Sequence, residues 1–441
     1  MSLRIAPGSR TQNRSGGPRV GFFGLLGSGN LGNDGSFEAV LNRIRRDHPE
    51  AVVDAMCMGP ERMSTHYGVP AIPLYWSTAH EGRTNRLGAR LIWALGKVVD
   101  IWRTFSWVRQ HDLVVVAGAG VLENSLPMRA TGVPYAMFLL CASGKLARSR
   151  VALLSVGATK ITPRPTRWLR NGAARLAYYR SYRDRISWEV MQQSGAFAQH
   201  DPVYTDLVFS FPAPRSAVSD PRLVGVGVMS FFGGSDDRRD GQQIHDDYIE
   251  AMTQFICWLV DHGYAVRLLS GDDSKDDTVI ASVMADVSMR RPGLPPGEVV
   301  ANHVSSLGDL LEEIEPVGFV VGARYHNVVS GLRLCKPTIS VGYSLKHDAL
   351  MSDMGVPEFA MSARSTSGSQ LIERFTELQN RSSEVHATLE TNLRFKQREL
   401  EGQFRDLASL VDSDPNGSSP RQEVTSRSSR HLHPVQGSAT T

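Results

Sequence analysis

No two of the four cysteines stand close together: Cys57, Cys141, Cys257 and Cys335 form no C-x-x-C pair and have no histidine at zinc-finger spacing. Neither a disulfide framework nor a structural zinc site is expected, no metal or cofactor is implied, and a reducing, cytosolic compartment fits. Long apolar runs are missing too. No stretch approaches the roughly 18 residues of a membrane-spanning helix, and Arg4, Arg10 and Arg14 are followed by no apolar leader segment. With a net charge of only +3, a nucleic-acid partner is not expected.

The composition, 41% hydrophobic and 21% charged, is that of a globular protein. A chain of 441 residues exceeds what one hydrophobic core usually organises, so two domains are expected. Residues 1–18 read as a loose lead-in. From Arg19 the pattern is strand, glycine-rich loop, helix: residues 20–26 are apolar, 27–35 form the loop, and Ser36 is placed to cap a helix from Phe37. Apolar runs at 52–58, 113–117 and 151–156 alternate with helical periodicity at 87–108 and 135–146, which predicts a doubly wound parallel sheet over 19–212. The Pro-rich segment 211–214 reads as a hinge. A second such domain, 215–362, takes strands at 223–229, 265–270, 298–300, 317–321 and 338–341 and helices at 248–261, 307–314 and 327–334. Val385, Leu389, Leu393, Leu400, Phe404 and Leu407 then mark one face of a long helix within a 370–411 extension. Residues 412–441 have almost no apolar side chains, which predicts a disordered tail.

The most informative segment is Gly322-Ala323-Arg324-Tyr325-His326-Asn327. It follows an apolar strand and opens a helix, so Arg324 and His326 belong at the carboxyl edge of a sheet, where ligands of open α/β sheets bind. Free N–H groups, the positive helix end and an arginine fork all favour a phosphate or carboxylate there. The plain alternative is that Arg324 pairs with a protein carboxylate and His326 is an interfacial histidine. The next strand runs into Tyr343-Ser344-Leu345-Lys346-His347, which places Lys346, otherwise a solvated lysine, as a second cation for the same pocket.

G-A-R-Y-H-N, the helix after it and K-P-T-I-S-V-G-Y-S-L-K resemble the C-terminal signature of the polysaccharide pyruvyltransferase family. Gly29-Asn30-Leu31-Gly32-Asn33-Asp34 resembles that family's N-terminal loop, residues 117–122 its glycine-rich turn, and residues 182–187 its arginine-bearing segment. Tyr325 stands where the family often has Leu. The resemblance covers about residues 19–360 and implies two Rossmann-like domains arranged as in GT-B enzymes, phosphoenolpyruvate as donor, and a glycan or glycolipid acceptor. Ketal formation needs an acid, a base and cations for a trianion. Carried onto this chain, Arg324 and Arg183 take the donor's phosphate and carboxylate, and Lys346 is a further phosphate contact. His326 is the acid or a phosphate ligand, since an ordinary imidazole carries a proton near neutral pH. Asp34 and Glu123 are the candidate bases, and Gly29, Asn30, Asn33 and Asp34 form the acceptor-side loop. Asp34 is also a plausible helix cap.

Other readings stay open. A nucleotide-sugar glycosyltransferase of the same shape would use Arg324 and Lys346 equally well, and a non-enzymatic binding protein is a third class. Gly27 to Gly32 fits G-x-G-x-x-G with Asp54 as the ribose-binding acid of a dinucleotide enzyme. The acidic stretch 271–277 is either a metal loop or, more plainly, a solvated turn. Residues 86–109 combine Leu87, Leu91, Ile92, Leu95, Val98, Trp102 and Phe105 with Arg83 just upstream, Arg86, Arg90, Lys97 and Arg103. They form either a core helix with a wet basic face or a peripheral contact with the inner membrane surface.

Overall fold

A computed structural model describes residues 17–80, 86–118, 120–123, 130–196, 201–212, 219–234, 237, 239–271 and 276–412. The expected disordered tail, residues 213–214 of the hinge and residues 272–275 of the acidic stretch lie outside them, as does all but the end of the lead-in.

Among the described residues, twelve strands form two separate six-stranded parallel sheets. The first comprises β1 (Arg19–Gly24), β2 (Val52–Cys57), β3 (Ala71–Pro73), β4 (Leu113–Ala117), β5 (Arg150–Val156) and β6 (Tyr179–Tyr182), in the order β3-β2-β1-β4-β5-β6. The second comprises β7 (Asp220–Gly227), β8 (Ala265–Leu269), β9 (Val299–Ala301), β10 (Val317–Gly322), β11 (Thr338–Gly342) and β12 (Ala360–Ser362), in the order β12-β11-β10-β7-β8-β9. Each order reverses direction once, at β1/β4 and at β7/β10, and those crevices are where an open α/β sheet takes ligands. The short strands β3, β6 and β12 lack the apolar runs that marked the others.

The first sheet is covered on one side by α1 (Leu31–Asp47) and α2 (Pro60–Tyr67), and on the other by α3 (Arg86–Val108), α4 (Val133–Ala147) and α5 (Arg164–Leu176); α6 (Arg185–Gln193) follows β6. The second domain carries α7 (Gly241–Asp261), α8 (Asp276–Arg290), α9 (Leu307–Ile314), α10 (Tyr325–Arg333) and α11 (Leu345–Asp353). The predicted extension comprises two helices, α12 (Gly368–Asn380) and α13 (Ser382–Asp412), the second being the expected long helix, parted at Arg381. All six apolar residues that marked the α13 stripe are buried. One apolar core runs from the α1 side of the first sheet through Phe209, Phe211 and α13 into the second sheet, and a second core lies beneath α3, α4 and α5.

The start of α1 differs from expectation. The helix begins at Leu31, and its cap is Asn30, whose side chain accepts the Asn33 N–H at 3.2 Å. Ser36 is instead buried one turn inside, packed so closely under Gly118 that a Cβ there would stand 2.3 Å from its Oγ. Gly118 is also left-handed, with φ of 55°, so glycine is required at this turn on both counts. Asp34 is therefore not a helix cap: it lies in the first turn of α1, fully buried, and its Oδ1 accepts the Gly27 N–H at 2.7 Å, pinning the loop.

Candidate functional site

The two sheets turn their reversal points toward each other. At β7/β10, Gly322 ends the strand and Arg324 occupies the position before α10. Its side chain lies over Gly271, where a Cβ would meet Arg324 Cγ at 2.7 Å. Nε and Nη2 of Arg324 donate to the two oxygens of Asp276 at 2.9 and 2.5 Å. Asp276 is fully buried and also accepts the Gly271 and Ser230 N–H groups at 3.1 and 3.4 Å. Thus Arg324 does pair with a protein carboxylate, and that pairing fixes the fork at the mouth of the crevice. Asp276 comes from the acidic stretch read as a solvated turn. It is the opposite, a buried anchor, and its one sequence signal was its place after a strand.

From the first sheet, β6 delivers Arg183, which is nearly buried and donates through Nη2 to Glu123 Oε1. Its Nη1 lies 3.7 Å from Asp206 and its Nε 3.6 Å from Asp184. These carboxylates, Glu123 foremost, offset the cost of burial and hold the guanidinium's pKa above its ordinary value. Glu123 is held by two glycines: added Cβ atoms on Gly157 and Gly120 would stand 2.2 and 2.8 Å from its carboxylate oxygens. Its Oε2 accepts from Lys346 Nζ at 3.2 Å, so one carboxylate joins Arg183 of the first domain to Lys346 of the second.

Tyr325 lies at the centre of this cluster. The Arg183 guanidinium is 5.3 Å and the Lys346 ammonium 5.7 Å from its ring centroid, and His326 and His347 each meet the ring edge-on at 5.6 Å. The aromatic ring thus offers its electron-rich face to two cations that a leucine could not hold. His347 is fully buried, with Nδ1 3.0 Å from Ser344 Oγ.

His326 reaches across to the first domain. A Cβ built on Gly32 would fall 1.7 Å from His326 Nε2, so the imidazole rests directly on the backbone of the first turn of α1. Burial, then the charges of Arg183, Lys346 and Arg324, push its pKa down to about 3. This corrects the expectation of a protonated imidazole: without an anion in the site His326 is neutral.

The acceptor-side loop, Gly29, Asn30, Asn33 and Asp34, stands at the carboxyl end of β1, beside the same crevice. Arg62 of α2 lies 3.6 Å from Asp34 Oδ2 and donates to the Ser305 carbonyl of the second domain, while Gly35 abuts Leu307. Burial raises the Asp34 pKa, against the opposing pull of the Gly27 N–H and Arg62. Arg62 and Asp206 carried no motif, and nothing in the sequence pointed to them.

The candidate dinucleotide acid is accounted for otherwise. Asp54 sits in the middle of β2, where its Oδ1 accepts from Trp107 Nε1 at 2.8 Å and lies 3.0 Å from His111 Nε2. It ties α3 to the sheet and does not stand at the strand end, where a ribose is bound. No group of three or more His, Cys, Asp or Glu suited to a metal occurs among the described residues.

Among solved structures, the chain is similar to the UDP-GlcNAc 2-epimerase of Neisseria meningitidis bound to UDP-GlcNAc, with 9% identity, TM-score 0.58, and coverage of 89% of this chain and 99% of that one. It is likewise similar to the S. aureus MnaA–UDP complex, with 9% identity, TM-score 0.55, and coverage of 91% and 100%. A UDP-GlcNAc 2-epimerase of Methanocaldococcus jannaschii matches at 7% identity and TM-score 0.53, covering 82% and 93%. At such identities the likeness shows the fold, two facing Rossmann-like domains of the GT-B type. The sequence itself matches the polysaccharide pyruvyl transferase family over residues 30–344, which takes in the α1 loop, Glu123, Arg183, Arg324, His326 and the strand before Lys346. The chain therefore belongs to the polysaccharide pyruvyl transferase family and is a transferase.

Proposed function

We propose that the crevice transfers pyruvate from phosphoenolpyruvate to two hydroxyls of a glycan or glycolipid, forming a ketal and releasing phosphate. The observation that carries this reading is the convergence of Arg183, Lys346 and Arg324 on His326, between the reversal points of both sheets. Three cations suit a donor that bears a phosphate and a carboxylate on one carbon. Arg324, oriented by Asp276, and Lys346 take the phosphate, and Arg183 takes the carboxylate.

Donor binding changes the proton inventory. Burial first and the neighbouring cations second keep the ring neutral; a polyanion beside His326 offsets those cations and raises its pKa, and in this reading the ring takes up a proton as the donor binds. His326 then protonates the enol methylene. One acceptor hydroxyl adds to the cationic carbon and gives its proton to Glu123, which the donor phosphate displaces from Lys346. The second hydroxyl attacks the same carbon and gives its proton to His326, neutral again after protonating the methylene, as the bond to the phosphate oxygen breaks and phosphate leaves. Asp34, the other candidate base, is closed off from solvent and serves by fixing the acceptor-side loop.

The test is incubation with phosphoenolpyruvate and a panel of glycans and glycolipids, following phosphate release and the mass gain of a ketal. His326→Ala should abolish turnover, and Arg324→Ala should chiefly raise the KM for the donor. Near-normal kinetics in both variants would end the assignment. Nucleotide release from a nucleotide sugar, with phosphoenolpyruvate inert, would move the activity to a glycosyltransferase of the same fold.

A further inference from the structure

The outer layer of the first domain, α3 to α5, is apolar where a helix normally meets water. In α3 the residues turned toward the sheet are Gly96, Asp100, Thr104 and Trp107, all buried. The opposite face carries Leu95, Val98, Ile101 and Trp102, with Val98 64% and Trp102 71% exposed. Two of the basic residues expected on a wet face, Lys97 and Arg103, are tucked in instead. Lys97 lies over the rings of Tyr75, Trp93 and Tyr135, and Arg103 donates to Asp100 and to the Pro73 carbonyl. Leu146 on α4 and Trp168 on α5 are exposed by 77% and 65% and extend the apolar surface across the layer.

Charge accompanies this surface. From residue 124 to residue 183 there are sixty residues with eleven lysines and arginines and no aspartate or glutamate. Lys145, Arg148, Lys160, Arg164 and Arg167 of that stretch are exposed, around the ends of α4 and α5. Exposed tryptophans and leucines bordered by unopposed cations suit the boundary between acyl chains and anionic headgroups, where both surfaces are satisfied together. No helix among the described residues is long and apolar enough to cross a membrane, so the contact lies along the surface.

We propose that the α3–α4–α5 face docks on an anionic lipid bilayer. The helices of a parallel sheet run back from its carboxyl edge, so the amino-terminal ends of all three point toward the crevice, and docking on this flank sets the crevice mouth beside the membrane. A lipid-linked acceptor could then enter without leaving the bilayer. Only this last step rests on the transferase reading.

The test is sedimentation of the full-length protein with phosphatidylcholine vesicles, with and without one-third phosphatidylglycerol, at low salt. The wild type should pellet with the anionic vesicles and show a blue-shifted tryptophan emission. Val98→Glu with Trp102→Glu should weaken partition by at least about tenfold, and Arg164→Glu with Arg167→Glu should reduce binding to anionic vesicles, both with an unchanged melting temperature. Wild type left in the supernatant, or variants that bind as well as it does, would overturn the proposal. So would a wild-type dimer that ignores vesicles and that Val98→Glu with Trp102→Glu converts to monomer, because the face would then serve self-association. The assay contains neither donor nor acceptor, so its failure leaves the transferase assignment untouched.

Discussion

Gly32 shows how a single hydrogen can decide a site. In the first turn of a helix, alanine is intrinsically favoured over glycine by up to about 1 kcal/mol. Here the added Cβ would occupy the position of His326 Nε2. Gly32→Ala must push His326 out of this contact between the domains, so it is expected to lower the melting temperature despite the helix gain and to lower turnover at least about 100-fold, since a misplacement of about 1 Å can cost that much; normal kinetics would show that His326 need not rest there. The two buried histidines make a second prediction. His326 and His347 are both held at about 3, whereas an unfolded histidine titrates near 6.5. The unfolded state binds protons that the folded state refuses, so the stability these rings contribute is complete above about pH 6.5 and is lost as pH falls toward 3. Roughly 1.4 kcal/mol for each ring should be gone by about pH 5.5. Urea unfolding at pH 7.5 and 5.5 should reveal this loss, and His326→Asn with His347→Asn should flatten it; an unchanged slope would assign the acid sensitivity to other groups.

At the scale of elements, α13 joins what the linker separates. Its first half bonds to the second domain, through His386 to the Cys335 carbonyl at 2.8 Å and Asn392 to the Met354 carbonyl at 3.1 Å. Its second half bonds to the first: Gln403 is fully buried between Ser155 and Ser181, and Asp406 accepts from Tyr179 and Tyr204, each at 2.8 Å. Gln403→Leu removes one bond from each of two buried hydroxyls, which keep the Thr205 carbonyl and the Ser155 N–H, and should cost about 1 kcal/mol in chemical denaturation; a change within error would mean that water replaces the amide. The α13 stripe was legible because helical periodicity is a local signal. So were the long buried strands, whose apolar runs need no partner to be seen. The short strands β3, β6 and β12 were not, since neighbouring strands define them. The same division holds at the site. Arg324, His326 and the α1 loop stood out because strand, turn and helix are contiguous there, and Arg183 through its resemblance to the family segment. Asp276, Asp206 and Arg62 come from distant segments that meet only on folding. Ser36 misled because serine before a hydrophobic run fits a cap, while Asn30 was already in position one and a half turns earlier.

For the whole molecule, the salient link is the carboxylate of Glu123, which Arg183 of one domain and Lys346 of the other share. Along with the rest of His326 on Gly32 and the reach of Arg62 to Ser305, it holds the domains together across the crevice. Under the proposed function, donor phosphate competes with Glu123 for Lys346, and binding is then coupled to the relation of the domains. Lys346→Met should weaken donor affinity and also widen the crevice, giving a larger radius of gyration in small-angle scattering; a variant as compact as the wild type would show that Lys346 serves the ligand alone.

The position of α13 in the chain has a consequence for biosynthesis. Both sheets are synthesised before the helix that covers them, so for a time the nascent chain holds two α/β halves with the groove that will receive Val385, Leu389, Leu400 and Phe404 still bare. Until α13 seats, that bare apolar groove makes the nascent chain prone to aggregate, as transiently exposed hydrophobic surface does.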